Sequence, residues 1–124
     1  MQEEDVKKAV LGWLGAYFPT SIVRTENERI AVYEVEDGYS IGYRMAYNIH
    51  INCNTQLTEC HKSLGQCLTC CIESGFVPTY LAVPQDYPHM EKLERIMSSV
   101  NLPIGLLTVG QNGNVRVAIK PRLP

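Results

Sequence analysis

The sequence lacks the features that mark several large classes of protein. Its apolar runs fall short of the roughly 18 residues that a membrane-spanning helix needs, and residues 1–5 are acidic where a secretory signal is basic. Basic residues are not in excess, because 11 Lys and Arg stand against 13 Asp and Glu for a formal charge of −2. No overall positive field therefore attracts nucleic acid non-specifically. Low-complexity tracts and internal repeats are absent as well. These absences predict a soluble, cytoplasmic protein that has no contact with membranes.

The cysteines do not form the pattern of a disulfide scaffold. They are five in number and confined to one stretch of the chain: Cys53, Cys60, Cys67, Cys70 and Cys71. Small secreted domains pair an even number of cysteines, so reduced thiols are expected here. Cys60, Cys67 and Cys71 fall on one apolar helical stripe, which favours packing as small hydrophobic side chains. A zinc or iron–sulfur site is disfavoured because a second Cys-x-x-Cys pair is missing.

What the sequence contains is typical of one domain spanning residues 1–124, with 45% apolar residues. Helical periodicity predicts helices over residues 3–17, 55–74 and 88–100. Gly75 is the candidate C-terminal cap of the second helix, and Asp86 is the candidate N-terminal cap of the third. Period-two patterns and turn signals predict strands over residues 21–26, 29–36, 39–51, 78–83, 104–109 and 115–120. The order αβββαβαββ indicates an α/β fold with a mixed β-sheet flanked by helices.

Three short phrases add a resemblance to a known family. They are Lys-Ser-Leu-Gly-Gln at residues 62–66, Tyr-Leu-Ala-Val-Pro at 80–84 and Ile-Gly-Leu-Leu-Thr-Val at 104–109. Together with the order of elements they make the chain resemble the PD-(D/E)XK nuclease-like superfamily, the fold of restriction endonucleases and archaeal Holliday-junction resolvases. The resemblance implies a restriction-endonuclease-like fold. It also implies a homodimer, because related proteins are commonly dimers.

The catalytic motif of that superfamily is missing here. In the family, an Asp on the second strand and a Glu-x-Lys on the third converge on magnesium, and the Lys helps to position the attacking water. Setting the motif on the predicted strands puts Ala31 at the Asp position, Arg44 at the Glu position and Ala46 at the Lys position. No Asp, Glu or Lys occurs from residue 39 to residue 58, so no shift of register restores the motif. The leading hypothesis is a degenerate, non-cleaving protein that acts as a binding or assembly module, and whether it is an enzyme stays open.

The third strand is expected to present its former active-site face through alternate residues. These are Ser40, Gly42, Arg44, Ala46, Asn48 and His50. Arg44 is expected either to pair with Glu26 or Glu34 or to bind a phosphate, and the ion pair is favoured. If the partner is DNA, we expect it to bind weakly, at Arg44, Lys62 and Gln66.

An alternative is an active magnesium-dependent DNA endonuclease whose catalytic residues have moved. Glu59, Lys62 and Gln66 lie about one turn apart on the polar side of the second helix. With Glu26 of the first strand they could form a substitute site. Magnesium is the cofactor that this alternative requires, whereas the leading hypothesis involves no metal or other cofactor. A solvated helix face explains the same residues and is favoured.

Overall fold

The structure is a computed structural model that describes residues 1–17, 21–26, 28–35 and 42–122. Its elements, in chain order, are α1 (Glu3–Tyr17), β1 (Ile22–Glu26), β2 (Arg29–Val35), β3 (Tyr43–Ile51), α2 (Leu57–Glu73), β4 (Thr79–Pro84), α3 (Met90–Ser99), β5 (Ile104–Val109) and β6 (Val115–Ile119). The predicted α/β class, with a mixed sheet and flanking helices, is confirmed. Within these ranges no helix has both the length and the apolar character needed to cross a bilayer.

All six strands join in one sheet whose spatial order follows the sequence, from β1 to β6. The first three strands form an antiparallel meander. Strands β3, β4 and β5 are parallel, because helical crossovers connect them, and β6 returns antiparallel to β5. Residues 36 and 39–41, which the sequence assigns to strands, lie outside the described residues.

The two faces of the sheet carry separate apolar clusters. Helix α1 packs on one face, in a cluster comprising Val6, Val10, Leu14, Ile30, Val32, Ile49, Ile51, Ala82, Leu107 and Val109. Helices α2 and α3 pack on the other, in a cluster comprising Cys60, Leu64, Cys67, Leu81, Val83, Tyr87, Leu93, Met97, Ile104 and Leu106. Because successive side chains of a strand point to opposite faces, each strand from β2 to β5 contributes to one or both clusters.

The cysteines of α2 pack as the sequence predicts. Cys60, Cys67 and Cys71 are buried, which confirms the packing role. Burial raises the pKa of the Cys67 thiol far above its ordinary value, and the neighbouring thiols add to the shift. Burial also raises the pKa of the Cys60 thiol. A thiol held protonated in this way is a poor metal ligand and a poor nucleophile.

The ends of α2 and α3 show one prediction that was close and one that was wrong. Helix α2 ends at the cap residue Ser74, and the predicted cap, Gly75, lies one position beyond it with φ +75°. The Phe76 N–H then donates to the Cys71 carbonyl at 2.7 Å, the bond that closes a Schellman motif. Asp86 does not cap α3; the cap residue is His89. The chain makes a further turn after Asp86 before the helix begins.

A β-bulge interrupts the pairing of β2 with β3. Val32 pairs with Tyr47, but the next residue, Tyr33, pairs with Met45, so Ala46 is an extra residue on β3. An extra residue reverses the alternation of side chains along the rest of the strand. The bulge therefore divides β3 into two segments, and even-numbered residues face opposite sides of the sheet in the two segments.

The bulge changes which residues of β3 share a face. Arg44 pairs with Glu34, on the phase of the α1 face, whereas Met45 lies on the α2 face with Asn48. The Arg29 side chain confirms this arrangement, because it contacts both the Met45 sulfur at 3.9 Å and the Asn48 Oδ1. The prediction that Arg44 shares a face with Asn48 is wrong. The sequence was interpreted with an unbroken period of two, and a bulge has no local signal in it.

Candidate functional site

A groove of about 660 Å³ runs between α2 and the end of the β1–β2 hairpin. Helix α2 packs on β3, β4 and β5, and the groove lies along its outer side. Most of the side chains that line it are polar or charged and come from three parts of the fold. The principal ones are Glu26, Glu28, Arg29, His50, Lys62 and Gln66. Positively and negatively charged side chains therefore surround a floor that β2 and β3 form.

Arg29 is held in a fixed orientation on this floor. Its Nε donates a hydrogen bond to the Asn48 Oδ1 at 3.2 Å, and its Nη2 donates to the same oxygen at 2.9 Å. The two residues come from neighbouring strands of the meander, and Asn48 is fully buried. No described carboxylate lies within 4.0 Å of the guanidinium. The amide therefore orients the guanidinium without neutralising its charge.

His50 lies beside Arg29 as its cross-strand partner and lines the groove. Burial, together with the positive charge of Arg29, lowers the pKa of His50 to about 4. The imidazole is therefore neutral at physiological pH. Its Nε2 and the Nδ2 of Asn48 are buried, and neither has a hydrogen-bond partner among the described residues. The floor of the groove thus carries one fixed positive charge, and the two unpaired polar atoms are buried beneath it.

Helix α2 supplies the opposite wall. Lys62 and Gln66 are four residues apart on its exposed side, so both extend over the same stretch of groove. They also line an adjoining groove of about 410 Å³ beside the end of β3, and Glu59 belongs to that second groove. Of the residues predicted for a relocated site, the structure brings Glu26, Lys62 and Gln66 together. Glu59 lies one helical turn away.

The three positions that the resemblance assigns to the family's catalytic motif do not converge. Ala31 pairs with Asn48 near the floor of the groove, whereas Ala46 is the bulge residue. Arg44 is exposed on the other phase of β3 and does not line the groove. It lies across from Glu34, one of its two predicted partners, but the side chains do not approach within the 4.0 Å of an ion pair. Arg44 therefore does not share this groove with Lys62 and Gln66, and its predicted role in nucleic-acid binding stays a prediction.

The side chains of β3 that do face α2 beyond the bulge are Asn48, His50 and, directly after the strand, Asn52. None is an acid or a lysine. The Asn52 Nδ2 donates to the Tyr87 hydroxyl at 3.4 Å, within the α2 side of the core. In the ranges that the structure describes, no three His, Cys, Asp or Glu side chains are grouped so that they could hold a metal ion. Amide, imidazole and guanidinium groups do not supply the oxygen ligands that magnesium takes from carboxylates, so this floor does not fit the ion of the resembled family.

Sequence reasoning missed Arg29, the residue that organises the floor. Its signal was an arginine opening an otherwise apolar strand, Arg-Ile-Ala-Val-Tyr. That signal alone is also typical of a strand end in solvent. The partner that gives Arg29 its orientation lies 19 residues away, and its identity follows only from the register of the sheet.

A larger groove, of about 860 Å³, lies elsewhere, between α1 and the β5–β6 turn. Trp13 lines it, but the indole also packs against the α1 cluster and contacts Tyr17 with ring centroids 5.2 Å apart. On the turn, the Asn112 Oδ1 accepts a hydrogen bond from the Asn114 N–H at 3.2 Å. The amide side chain therefore serves the turn itself. This groove is larger than the one beside α2, and the charged side chains that line it, Asp5 and Lys8, are exposed on α1.

Comparison of the chain with models of known protein families, with curated protein sequences and with solved structures found no match.

Proposed function

We propose that this protein is a non-cleaving member of the restriction-endonuclease-like fold that binds nucleic acid in the groove between α2 and the β1–β2 hairpin. The observation that carries the proposal is the Arg29 guanidinium, fixed by Asn48 on the floor of the groove and left without a carboxylate partner in the described chain. A guanidinium that is oriented in advance and still charged suits a phosphate oxygen.

The arrangement of the sheet supports the fold part of the proposal. An antiparallel meander leads through α2 to a fourth strand parallel to the third, and α1 and α2 lie on opposite faces. The fold that the short sequence phrases suggest has this connectivity. In it, the second and third strands must be neighbours, because the residues of the catalytic motif come from both strands.

The charges of the groove support binding rather than cleavage. Lys62 and Arg29 are its two cations, and neither lies within 4.0 Å of a carboxylate in the described ranges. The motif positions that would need acids carry Ala31 and Arg44, and the β3 side chains that face α2 beyond the bulge are an amide and a neutral imidazole. The residues of the relocated nuclease are divided between two grooves, because Glu59 is separated from Glu26. A phosphate can therefore be held, whereas the ligands for a metal are not assembled.

The test compares two exposed helical lysines. Lys62 lines the groove, while Lys92 on α3 is also exposed but does not line it. We expect a fluorescently labelled oligonucleotide at 50 mM salt to bind the wild-type protein and the Lys92→Ala variant equally. Lys62→Ala should weaken binding roughly threefold, the effect of losing about one phosphate contact. Fluorescence anisotropy measures both affinities, and circular dichroism checks that each variant is folded.

A substitution that removes a negative charge provides a second test. Glu26→Gln removes a carboxylate that repels phosphate, so a protein that only binds nucleic acid should bind it more tightly. An endonuclease that uses Glu26 would instead lose cleavage, which gel electrophoresis measures after incubation with magnesium. Equal affinities for the Lys62→Ala and Lys92→Ala variants would contradict the proposal. So would cleavage that Glu26→Gln abolishes, and this result would favour the endonuclease.

A further inference from the structure

The groove opens onto a face of the meander that carries two tyrosines, of which Tyr43 is exposed and Tyr33 is half-buried. Tyr33 pairs with Met45, and Tyr43 lies two residues before Met45 on β3, so both tyrosines are on the α2 face. Tyr43 is 56% exposed, and Ile22, which pairs with Tyr33 from β1, is 42% exposed. Helix α2 packs on β3, β4 and β5 and leaves this part of the face open. Large side chains in such a position are suited to contact a partner.

This face is continuous with the groove. A small cleft on the same strands is lined by Arg24, Glu26, Arg29, Ala31 and Tyr33, and it shares Glu26 and Arg29 with the groove. One surface therefore extends from Lys62 on α2, across the fixed guanidinium, to the tyrosines at the far end of the meander. We call this the open face.

The charges of the open face decide which form of nucleic acid suits it. Its cations are Arg24, Arg29 and Lys62, and its carboxylates are Glu26, Glu28 and Glu73. Cations do not outnumber carboxylates, so attraction to a polyanion is weak and a second source of affinity is needed. Bases stacked on aromatic side chains supply such affinity, and every base has a face to stack. A duplex keeps its base faces covered and could use only the charges.

We infer that the ligand of the open face is single-stranded nucleic acid. Its bases stack on Tyr33 and Tyr43 while its phosphates contact Arg24, Arg29 and Lys62. The two tyrosines occupy diagonal positions on neighbouring strands, roughly 7 Å apart in a regular sheet. An extended strand can therefore place successive bases on successive rings. This inference rests on the proposed function and adds the strandedness of the ligand.

A second copy of the chain suits the face less well. A two-fold contact places each surface patch against the same patch of the partner. Such a contact would bury the three cations and the three carboxylates of each open face, which is costly unless every one of them finds a partner of opposite sign. The homodimer implied by the resemblance is therefore expected to use another surface.

The experiment compares a single-stranded oligonucleotide with a duplex of the same length, by anisotropy at 50 mM salt. We expect the single strand to bind at least fivefold more tightly. Tyr43→Ala should weaken single-strand binding roughly fivefold or more, the loss of one stacked base, and should leave duplex binding unchanged. Tyr43→Phe, which keeps the ring, should bind as the wild type does. Tyr17→Ala is the matched control, because Tyr17 is 68% exposed on α1, on the opposite side of the sheet.

The possible results separate the inference from the proposed function. If the duplex binds as tightly as the single strand and Tyr43→Ala has no effect, while Lys62→Ala still weakens binding, the inference is wrong and the proposed function stands. If neither form binds, the proposed function fails. If Tyr43→Ala instead dissociates a dimer detected by sedimentation, the open face is a contact between copies and the inference is overturned.

Discussion

At the scale of single residues, the site depends on one arginine and the amide that orients it. An arginine in a salt bridge shares its charge with a carboxylate, but Arg29 makes its two strand-to-strand hydrogen bonds to the neutral Asn48. The sequence predicted that Asn48 and His50 share a face, and the structure agrees. The role of Arg29 could not be predicted, because it depends on a contact between distant residues rather than on a local pattern.

The first residue-scale prediction concerns His50 and acid. Burial, and then the charge of Arg29, lowers the pKa of His50 from 6.5 to about 4 in the folded protein. Between these values the unfolded chain binds the proton and the folded protein does not, so stability falls as the pH drops below about 6.5. We expect His50 to lower the free energy of unfolding by on the order of 1 kcal/mol between pH 7 and pH 5, with allowance for its partial exposure to solvent.

Urea unfolding of the wild type and of His50→Gln at both pH values measures this contribution. Other groups titrate over the same range, so the relevant quantity is the difference between the two proteins. The variant should lose less stability on acidification than the wild type does. His61→Gln is the control, since His61 is exposed on α2, and it should behave as the wild type. Equal acid sensitivity in the wild type and the His50→Gln variant would show that His50 is not held neutral.

At the scale of elements, local sequence patterns predicted the features that depend on residues close together in the sequence. The first helix spans residues 3–17 in both the prediction and the structure, because its apolar spacing and acidic first turn are local signals. The phase of β3 was wrong because it depends on pairing with β2. One extra residue, Ala46, moved Arg44 to the other face. Arg44 is separated from the groove of Lys62 and Gln66 for the same reason.

The element-scale prediction concerns the contact between β4 and β5. Gly105 pairs with Tyr80, and a Cβ at residue 105 would lie 2.6 Å from the Tyr80 Cδ1 and 2.8 Å from the Ile119 carbonyl oxygen. The backbone oxygen cannot easily move, so Gly105→Ala should cost roughly 1–3 kcal/mol of unfolding free energy. Chemical denaturation with circular dichroism measures the change.

The control for that substitution is a glycine with space around it. Gly15 lies in α1, and a Cβ there would meet no atom within 4 Å. Gly15→Ala should stabilise the protein by about 0.5–1 kcal/mol, since alanine favours the helix. If Gly105→Ala unfolded at the wild-type denaturant concentration, the Tyr80 ring would not cover Gly105 as the structure has it.

At the scale of the whole molecule, the distribution of charge matters more than its sum. A net charge of −2 argued against a strong positive field, yet it could not show that cations without an ion-pair partner in the described ranges meet on one face. Their convergence requires α2 to lie beside the β1–β2 hairpin, which follows from the sheet order and the crossover. The mixed α/β class was predictable from the pattern of elements. The homodimer and the nuclease ancestry stay predictions.

The last prediction follows from the number of cations on the open face. Each phosphate contact made to a single strand releases counterions, so log K falls against log salt with a slope of about −0.7 per contact. Three cations, Arg24, Arg29 and Lys62, set a limit of about −2 for an oligonucleotide short enough to cover one open face. Anisotropy titrations from 50 to 200 mM salt measure the slope. Lys62→Ala should reduce the magnitude of the slope by about 0.7. Tyr43→Ala should weaken binding at every salt concentration and leave the slope unchanged. A wild-type slope much steeper than −2 would require more cations than the open face has, and the nucleic acid would then bind elsewhere on the molecule.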